Sequence, residues 1–324
     1  MNGLLVYLAF GIFSFLITFI FTKLLVPRLK RFNIIGRDVN KPSRPEVAEM
    51  GGIGIVAGFT AGVLLAIFFN TFFDFEFNLV HVMAALITVH SVAFIGIVDD
   101  LLDVPQYIKA FLPLVAAVPL IAVSAAGSTA ITIPFIGMVD LGIFYIIVLV
   151  PIGVAVASNL SNMFAGFNGL EAGLGSVIFA AMAFIAVAHN SPEMIVLFVP
   201  MLGALLAFLF FNWYPAKVFP GDVGNLTIGA VLASGVIIGN METAGALLMI
   251  PYVVDFFIKA YHKFPSTQWW GEYRMGKLYA LEGKANGLAQ FTMKVFNGIS
   301  EKNLTIFFIG AEVIIAAIVI MLYL

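Results

Sequence analysis

The sequence predicts an all-α polytopic membrane protein with ten transmembrane helices. Three observations support this fold class: 62% of the 324 residues are hydrophobic, only 10% are charged, and long apolar runs recur along the chain. Soluble domains are roughly half apolar, so no soluble fold could bury this much apolar surface. The lipid bilayer is therefore the first partner that the sequence predicts.

Apolar runs of about 17 to 25 residues, the length that crosses a bilayer, give ten candidate spans. The spans are Gly3–Val26, Gly52–Asn70, Val80–Val98, Ile108–Ala126, Leu141–Ala157, Ala172–Ala188, Met194–Phe211, Gly224–Gly239, Ala244–Tyr261 and Leu304–Leu324. The first run is too long and lacks the basic start of a signal peptide, so it is interpreted as a span.

The basic residues lie on one side of these spans. All sixteen Lys and Arg residues fall on alternate connections, and the positive-inside rule makes that side cytoplasmic, with both termini outside. Irregular backbone at membrane depth must be satisfied by protein or water, so these connections are expected to line one cytoplasmic-face active-site cleft. With no internal repeat, residues 1–324 are predicted to form a single domain. Its cytoplasmic loops lie at about 27–51, 99–107, 158–171, 212–223 and 262–303.

Composition limits the chemistry of that cleft. Cysteine is absent and the four histidines are scattered, which argues against a zinc site. Oxygen-ligated Mg²⁺, or Mn²⁺ in its place, remains open. No nucleic-acid partner is expected, and a homodimer is left open.

The third span ends in an acidic pair, Asp99 and Asp100, and carboxylates at the end of an apolar helix are costly without a partner. Adjacent helical residues point about 100° apart, so the two carboxylates cannot share a proton and should have different roles. One could act as a base, and the other could hold a metal or Lys109. The alternative is a solvated helix end before Pro105.

Two further polar segments follow later spans. Asn159 and Asn162 share a helix face, where amide oxygens can ligate a hard cation, and the glycines from Gly166 onward suit a nucleotide-binding turn or a tight interhelical loop. Asp222 follows a Pro-Gly turn and opens a helix. It is either an N-cap or a metal ligand that holds magnesium against a diphosphate.

The first and last cytoplasmic loops carry most of the basic residues. In the first loop these side chains set topology and meet anionic lipid, while Lys41 and Glu49 stand apart because they lie close to the next span. The last loop is long enough for a hairpin and a surface helix. Its basic residues, near His262 and Lys263, could clamp phosphates.

Taken together, these motifs resemble the polyprenyl-phosphate N-acetylhexosamine-1-phosphate transferase family, in particular its eukaryotic and archaeal branch. The resemblance covers almost the whole chain and is carried by Lys41-Pro42 to Gly52, Val98-Asp99-Asp100, Asn159 to Gly173 and Asn212 to Asp222. It implies magnesium, a UDP-sugar donor and a polyprenyl or dolichyl phosphate acceptor. The expected reaction moves N-acetylglucosamine 1-phosphate, or a related N-acetylhexosamine 1-phosphate, to the lipid and releases UMP, the first membrane step of lipid-linked glycan synthesis.

The resemblance also implies roles for single residues. Asp99 is expected to accept or orient the proton of the lipid phosphate, with Asp100 as electrostatic support. His262-Lys263 resembles a His-Arg pair of the eukaryotic proteins, but lysine cannot offer phosphate a bidentate fork. The His-rich motif of the bacterial cell-wall branches is missing, which argues against a muramyl-pentapeptide donor. The expected catalytic residues are Asp99, Asp100 and Lys109, the metal ligands are Asn162 and Asp222, and the substrate-binding residues are Lys41, Glu49, Asn159, Gly166, Asn168, His262 and Lys263.

Two other classes stay open. Asp99 and Asp103 form an Asp-Asp-x-x-Asp pattern typical of prenyltransferases, although Pro105 is expected to end the helix early. A lipid or sugar transporter would place polar residues near the bilayer midplane, where Glu312 alone is expected. If the source is a prokaryote, and an archaeon is the favoured source, the expected location is the plasma membrane.

Overall fold

The computed structural model describes residues 3–124, 128–133, 136–264 and 270–324. The helices are α1 (Gly3–Arg31), α2 (Gly52–Phe72), α3 (Leu79–Leu102), α4 (Gln106–Ala116), α5 (Val118–Ser124), α6 (Gly142–Phe144), α7 (Val150–Met163), α8 (Leu170–Ala188), α9 (Pro192–Asn212), α10 (Gly221–Ile238), α11 (Glu242–Leu248), α12 (Ile250–Tyr261), α13 (Leu288–Val295) and α14 (Glu301–Tyr323). The strands form three antiparallel pairs, which are β1 (Ile35–Arg37) with β2 (Glu46–Ala48), β3 (Ala130–Ile133) with β4 (Gly137–Asp140), and β5 (Gly271–Arg274) with β6 (Lys277–Ala280).

The helices confirm an all-α polytopic membrane protein. Within the described residues nine helical segments are long and apolar enough to cross a membrane, counting α4 with α5 as one and α6, a π-helical turn and α7 as another. The bent pair of α11 and α12 makes a tenth if it is one span. Residues 125 and 126, the end of the predicted fourth span, lie outside the described residues.

The ninth span differs from the prediction of one continuous helix over Ala244–Tyr261. The axes of α11 and α12 meet at an angle of 61°, and the break lies at Met249, just before Pro251. Proline lacks a backbone N–H and is tolerated in the first turn of a helix, where that donor has no partner. The proline therefore starts a new helix instead of continuing α11.

The bundle has a buried centre and a lipid-facing rim. In the apolar windows of α8 and α10, 78% of the residues are buried, against 22% in α1. Both α8 and α10 begin at polar motifs, so the protein encloses these two helix starts tightly.

A row of glycines lets α1 and α2 approach closely. Gly54, Gly58 and Gly62 recur every four residues on α2 and face Thr18 and neighbouring small polar residues of α1. A side chain added at Gly58 would overlap the Thr18 hydroxyl. Small residues at this spacing are the usual means of close helix packing in membranes.

The connections are shorter than the predicted loops. They span residues 32–51, 103–105, 164–169, 213–220 and 262–300, because the helices continue through the polar residues at their ends. A helical backbone satisfies its own N–H and C=O groups, so helices at membrane depth end as late as the chain allows. The last connection contains the expected hairpin, β5–β6, and the expected surface helix, α13.

Candidate active site

One large cavity opens where α3 ends and α10 begins, and its volume is about 1100 Å³. It brings together segments from all five predicted loops. The expected site residues that line it are Glu49, Lys109, Asn159, Asn162, Gly166 and Asp222. The expected site residues outside its lining are Lys41, Asp99, Asp100, Asn168, His262 and Lys263.

Lys109 joins two carboxylates at the wall of the cavity. Its Nζ lies 2.5 Å from Asp99 Oδ2 and contacts Asp222 Oδ2. Asp99 also accepts a hydrogen bond from the backbone N–H of Val104 at 2.9 Å. Both oxygens of Asp99 are thus engaged, so the structure makes Asp99 the anchor of Lys109 instead of a free base.

Asp100 points away from Asp99, as the helical geometry predicts. Its two oxygens accept the backbone N–H groups of Asp222 at 2.8 Å and Val223 at 3.1 Å. Asp100 therefore caps α10 from a neighbouring helix. The alternative prediction that Asp222 caps its own helix is wrong, because Asp222 lies inside α10 and its carboxylate turns toward Lys109.

The oxygens expected to bind a metal lie in the same wall. Asn225 Nδ2 donates to Asn162 Oδ1 at 3.1 Å, which orients that oxygen, while Asn225 Oδ1 is buried with no hydrogen-bond partner among the described residues. The described residues contain no group of three or more His, Cys, Asp or Glu side chains that could hold a metal. The amide oxygen of Asn162 and a carboxylate oxygen of Asp222 lie beside an open cavity. Such a pair fits Mg²⁺, which keeps water and substrate phosphate oxygens as its other ligands.

Asn159 lies one turn before Asn162 on α7. Its Nδ2 donates to the carbonyl of Ala155 at 2.8 Å and to the carbonyl of Ala110 at 3.2 Å. The side chain thus ties α7 to α4, which carries Lys109, and still lines the cavity.

A glycine turn forms another part of the wall. Gly166 has a φ of +106°, which favours glycine. Its N–H donates to Glu171 Oε1 at 2.5 Å, and its carbonyl accepts from Asn40 Nδ2 at 3.2 Å. Glu171 also lines the cavity, and its Oε2 is buried without a partner among the described residues.

Lys41 lies in a buried network beside the cavity. Its Nζ is 3.0 Å from Asp38 Oδ2, contacts Glu301 Oε2, and lies 4.4 Å from the ring centroid of Tyr214. The ammonium group is therefore already neutralised by two carboxylates. The structure places Lys41 in a tether between the first loop and α14.

Asn168 is the centre of that network. Its backbone N–H donates to Glu301 Oε1 at 2.9 Å, its Nδ2 donates to Asp38 Oδ2 at 3.1 Å, and its Oδ1 accepts from the N–H of Ala216 at 2.8 Å. The residue is only 2% exposed. These bonds fix the Asn168 side chain between the first loop and the 213–220 connection.

Glu49 faces the cavity from the end of the first loop. A side chain on Gly36 would meet its carboxylate, so the glycine leaves room for it. Burial raises the pKa of Glu49, and the nearby charge of Asp100 raises it further. Glu49 thus binds a proton more tightly than an exposed glutamate.

The structure places His262 and Lys263 away from the cavity. Both side chains are exposed, and α12 ends at Tyr261 with Lys263 in a left-handed turn. The cavity is instead lined by Lys259, whose Nζ lies 2.7 Å from Asp255 Oδ2 and contacts the carbonyl of Met163.

One side of the cavity is apolar. The side chains there come from α4, α7, α12 and the turn after α12, and they are Tyr107, Val156, Val253, Phe256, Phe257 and Phe264. Several of them are also exposed on the surface of the bundle. A polar cluster beside an apolar wall suits a ligand with an anionic head and a lipid tail.

The structure bears on two residues of the alternatives that the sequence left open, Asp103 and Glu312. Asp103 follows α3 in a left-handed conformation and is exposed, so it does not share a helix face with Asp99. The Asp-Asp-x-x-Asp pattern therefore does not form a diphosphate motif. Glu312, the residue expected near the bilayer midplane, is fully buried within the chain.

The sequence reasoning missed several polar residues of the site. They include the carboxylates and amide of Asp38, Glu171, Asn225 and Glu301. The available signal was their position: each is a carboxylate or amide within or next to a recognised motif or span, where such groups need a partner.

The fold and the cavity define a class, that of multi-pass membrane proteins with a site suited to phosphate chemistry at the lipid boundary. Residues 82–240 match glycosyl transferase family 4. A Saccharolobus solfataricus protein, provisionally named UDP-N-acetylglucosamine–dolichyl-phosphate N-acetylglucosaminephosphotransferase, is 39% identical over 95% of this chain and 94% of the relative. The chain belongs to glycosyl transferase family 4.

Other relatives come from two branches of that family. The Dictyostelium discoideum UDP-N-acetylglucosamine–dolichyl-phosphate N-acetylglucosaminephosphotransferase is 30% identical over 76% of this chain and 70% of the relative. The Halalkalibacterium halodurans phospho-N-acetylmuramoyl-pentapeptide-transferase is 31% identical over 75% of this chain and 78% of the relative.

Proposed function

We propose that the protein transfers N-acetylglucosamine 1-phosphate from UDP-N-acetylglucosamine to a polyprenyl or dolichyl phosphate and releases UMP. The observation that carries this proposal is the Lys109 cluster with Asp99 and Asp222, which faces a cavity with an apolar wall. The names of the archaeal and Dictyostelium relatives support the same donor and acceptor.

In the proposed reaction, an oxygen of the lipid phosphate attacks the β-phosphorus of the donor. A new phosphorus–oxygen bond forms there, the bond from the β-phosphorus to the bridging oxygen breaks, and UMP leaves with that oxygen. Several anionic phosphates must approach one another, so neutralising their charge dominates catalysis. Lys109 supplies a cation that Asp99 and Asp222 hold at the cavity wall.

Asp222 and Asn162 would hold the magnesium ion of this family, with Asn225 orienting the amide. When bound, the ion would neutralise phosphate charge and polarise the reacting phosphorus–oxygen bonds. Mn²⁺ suits the same oxygen ligands.

A strong base is not needed in this proposal. A phosphate monoester has a second pKa of about 6 and is largely ionised near neutral pH. We therefore assign Asp99 a positioning role for Lys109, and Asp100 a positioning role for the start of α10 and Asp222.

The proposal includes an orientation in the membrane. The 32–51 and 262–300 connections carry basic residues, and both contribute residues to the lining of the cavity. By the positive-inside rule this supports a cytoplasmic active site with both termini outside. For a prokaryote, with an archaeon favoured, the membrane would be the plasma membrane. A homodimer stays a prediction.

The test is UMP release by the purified full chain in detergent, with UDP-N-acetylglucosamine, polyprenyl phosphate and Mg²⁺. UMP should form only with lipid and metal, stop with EDTA, and return on addition of Mg²⁺ or Mn²⁺. Asp222→Ala should abolish it. UDP-N-acetylmuramoyl-pentapeptide serves as the competing donor, and preference for that donor, or folded wild-type protein without any UMP, would overturn the proposal.

A further inference from the structure

The cavity is lined by three basic side chains, and two of them are already neutralised. Lys109 contacts the carboxylates of Asp99 and Asp222. Lys259 contacts Asp255 and the carbonyl of Met163. The third is Arg37.

Among the described residues, Arg37 has no partner in a hydrogen bond or an ion pair. The residues outside those ranges contain no Asp or Glu. An arginine stays charged at every physiological pH and carries five N–H donors in a planar fork. Arg37 therefore presents an unneutralised guanidinium group at the rim of the cavity.

The backbone that carries Arg37 is held in place. Arg37 ends β1 and lies opposite Glu46 of β2, and the next residue, Asp38, donates its N–H to the carbonyl of Pro45 at 3.0 Å. Asp38 is also anchored through its carboxylate to Lys41 and Asn168. The backbone position of Arg37 is thus set by a short hairpin fixed to the core.

The charge balance of the cavity indicates what the guanidinium group of Arg37 can bind. Three basic side chains and four carboxyl groups, those of Asp38, Glu49, Glu171 and Asp222, line the cavity. An incoming phosphate would meet a surface with no excess of positive charge. A cation without a carboxylate partner can bind that phosphate without first breaking an ion pair.

We propose that Arg37 is a phosphate-binding residue of the cavity, which extends the proposed function and rests on it. The guanidinium group binds a phosphate through parallel N–H···O bonds. The phosphate belongs either to the donor diphosphate or to the lipid acceptor. This role is the one that sequence reasoning gave to Lys263, a residue that the structure places outside the cavity.

A competing role for Arg37 is an ion pair with Glu46. The two residues are directly opposed across the hairpin, where opposite charges can attract. No such ion pair forms among the described residues, although both side chains are exposed. Exposed pairs contribute little in any case.

The experiment compares Arg37→Gln and Arg37→Lys with two control variants. Arg44→Gln removes an exposed arginine of the same loop that does not line the cavity, and Glu46→Gln removes the cross-strand carboxylate. The KM for UDP-N-acetylglucosamine and the KM for polyprenyl phosphate are measured separately, together with kcat and the unfolding midpoint in detergent. Binding of UDP and of uridine to each variant is measured in parallel.

Arg37→Gln should raise one of the two KM values about tenfold to a hundredfold with little change in kcat, as expected for the loss of charge-assisted hydrogen bonds. Arg37→Lys should lie between Arg37→Gln and the wild type, because lysine gives a point charge and no fork. Arg44→Gln and Glu46→Gln should leave both KM values unchanged.

The pattern identifies the source of the phosphate. A raised KM for the donor, with weaker binding of UDP but unchanged binding of uridine, assigns Arg37 to the donor diphosphate. A raised KM for polyprenyl phosphate with unchanged UDP binding assigns it to the lipid. Unchanged KM values in Arg37→Gln, or equal effects of Arg37→Gln and Glu46→Gln, would overturn the inference. A wild-type protein that makes no UMP would instead refute the proposed function.

Discussion

At the scale of single residues, the site is built from side chains that hold one another. Lys109 is fixed by Asp99 and reaches Asp222, while Asp100 fixes the backbone on which Asp222 stands. Each of the two neighbouring aspartates therefore acts on a different part of the same cluster. This arrangement explains why the pair is adjacent in sequence and yet opposed in direction.

Replacing Lys109 with methionine should lower kcat for UMP release about 10² to 10³-fold, because the cation that neutralises phosphate charge is lost. The measurement is steady-state UMP release at saturating donor and lipid. Lys30→Met is the control, since Lys30 is exposed and lies outside the cavity. Equal activity of Lys109→Met and the wild type would contradict a role in catalysis.

Glu49 should make stability depend on pH. Because its folded-state pKa is raised by burial and by the charge of Asp100, the protonated side chain favours the folded state. This contribution is fully present below the unfolded pKa of about 4.3 and is lost as pH rises through the folded pKa. Glu49→Gln, which mimics the neutral acid, should therefore become more stable than the wild type as pH rises. Unfolding midpoints in detergent from pH 4 to 8 measure this, and a difference that does not change with pH would refute it.

At the scale of elements, the ends of the helices decide where the site residues stand. The first turn of α10 receives its cap from Asp100 on α3, so two helices distant in sequence share one junction. The cap brings the carboxylate of Asp222 next to Lys109, which lies on α4. The proline-initiated break before α12 likewise gives the cavity an apolar wall.

Asp100→Ala should destabilise the protein by about 1 kcal/mol, the usual cost of a lost helix cap. Asp100→Asn keeps one acceptor oxygen and should cost less. Thermal unfolding in detergent measures this, and the unfolding midpoint should fall from the wild type to Asp100→Asn to Asp100→Ala. Both variants should also lose activity if Asp222 depends on the cap, so full activity in Asp100→Ala would exclude this positioning role.

The contact between α1 and α2 should be sensitive to a single methyl group. Gly58→Ala would push a Cβ into Thr18 and should destabilise the protein by about 1–3 kcal/mol. Gly310→Ala on α14 is the matched control, because no heavy atom of the described residues lies within 4 Å of a Cβ at that position. Unfolding midpoints should fall for Gly58→Ala and not for Gly310→Ala. Similar midpoints for both would mean that the helices can separate without cost.

At the scale of the whole molecule, buried ion pairs connect segments that are far apart in sequence. Lys41 in the first loop, Asn168 between α7 and α8, and Glu301 at the start of α14 form one network beside the cavity. Polar bonds of this kind hold the first and last parts of the chain against the buried centre.

Lys41→Met should destabilise the protein by about 3–5 kcal/mol, because it leaves Asp38 and Glu301 buried without their cation. The double variant Lys41→Met with Glu301→Met should recover part of this loss, so the two effects should not add. Lys284→Met breaks an exposed pair with Glu282 and should leave the unfolding midpoint unchanged. Additive effects of Lys41→Met and Glu301→Met would show that the pair is not coupled.

The sequence by itself determined the membrane class and the approximate positions of the spans, and the predicted number of ten holds if the bent pair of α11 and α12 is one span. It also predicted six of the residues that line the cavity. Hydrophobic runs and charge asymmetry are local properties, so they can be read along the chain. Spacing also predicted that Asp99 and Asp100 diverge and that Asn159 and Asn162 share a face, and the structure confirms both arrangements.

Only the tertiary structure decided which basic residues face the cavity. Lys263 is exposed and does not line the cavity, Lys41 is neutralised by Asp38 and by Glu301, and Arg37 is left without a carboxylate among the described residues. The two carboxylate partners of Lys41 lie three and 260 positions away along the chain. Pairing of charges in a membrane protein is fixed by which side chains the packed helices bring into contact, and the order of residues does not specify those contacts.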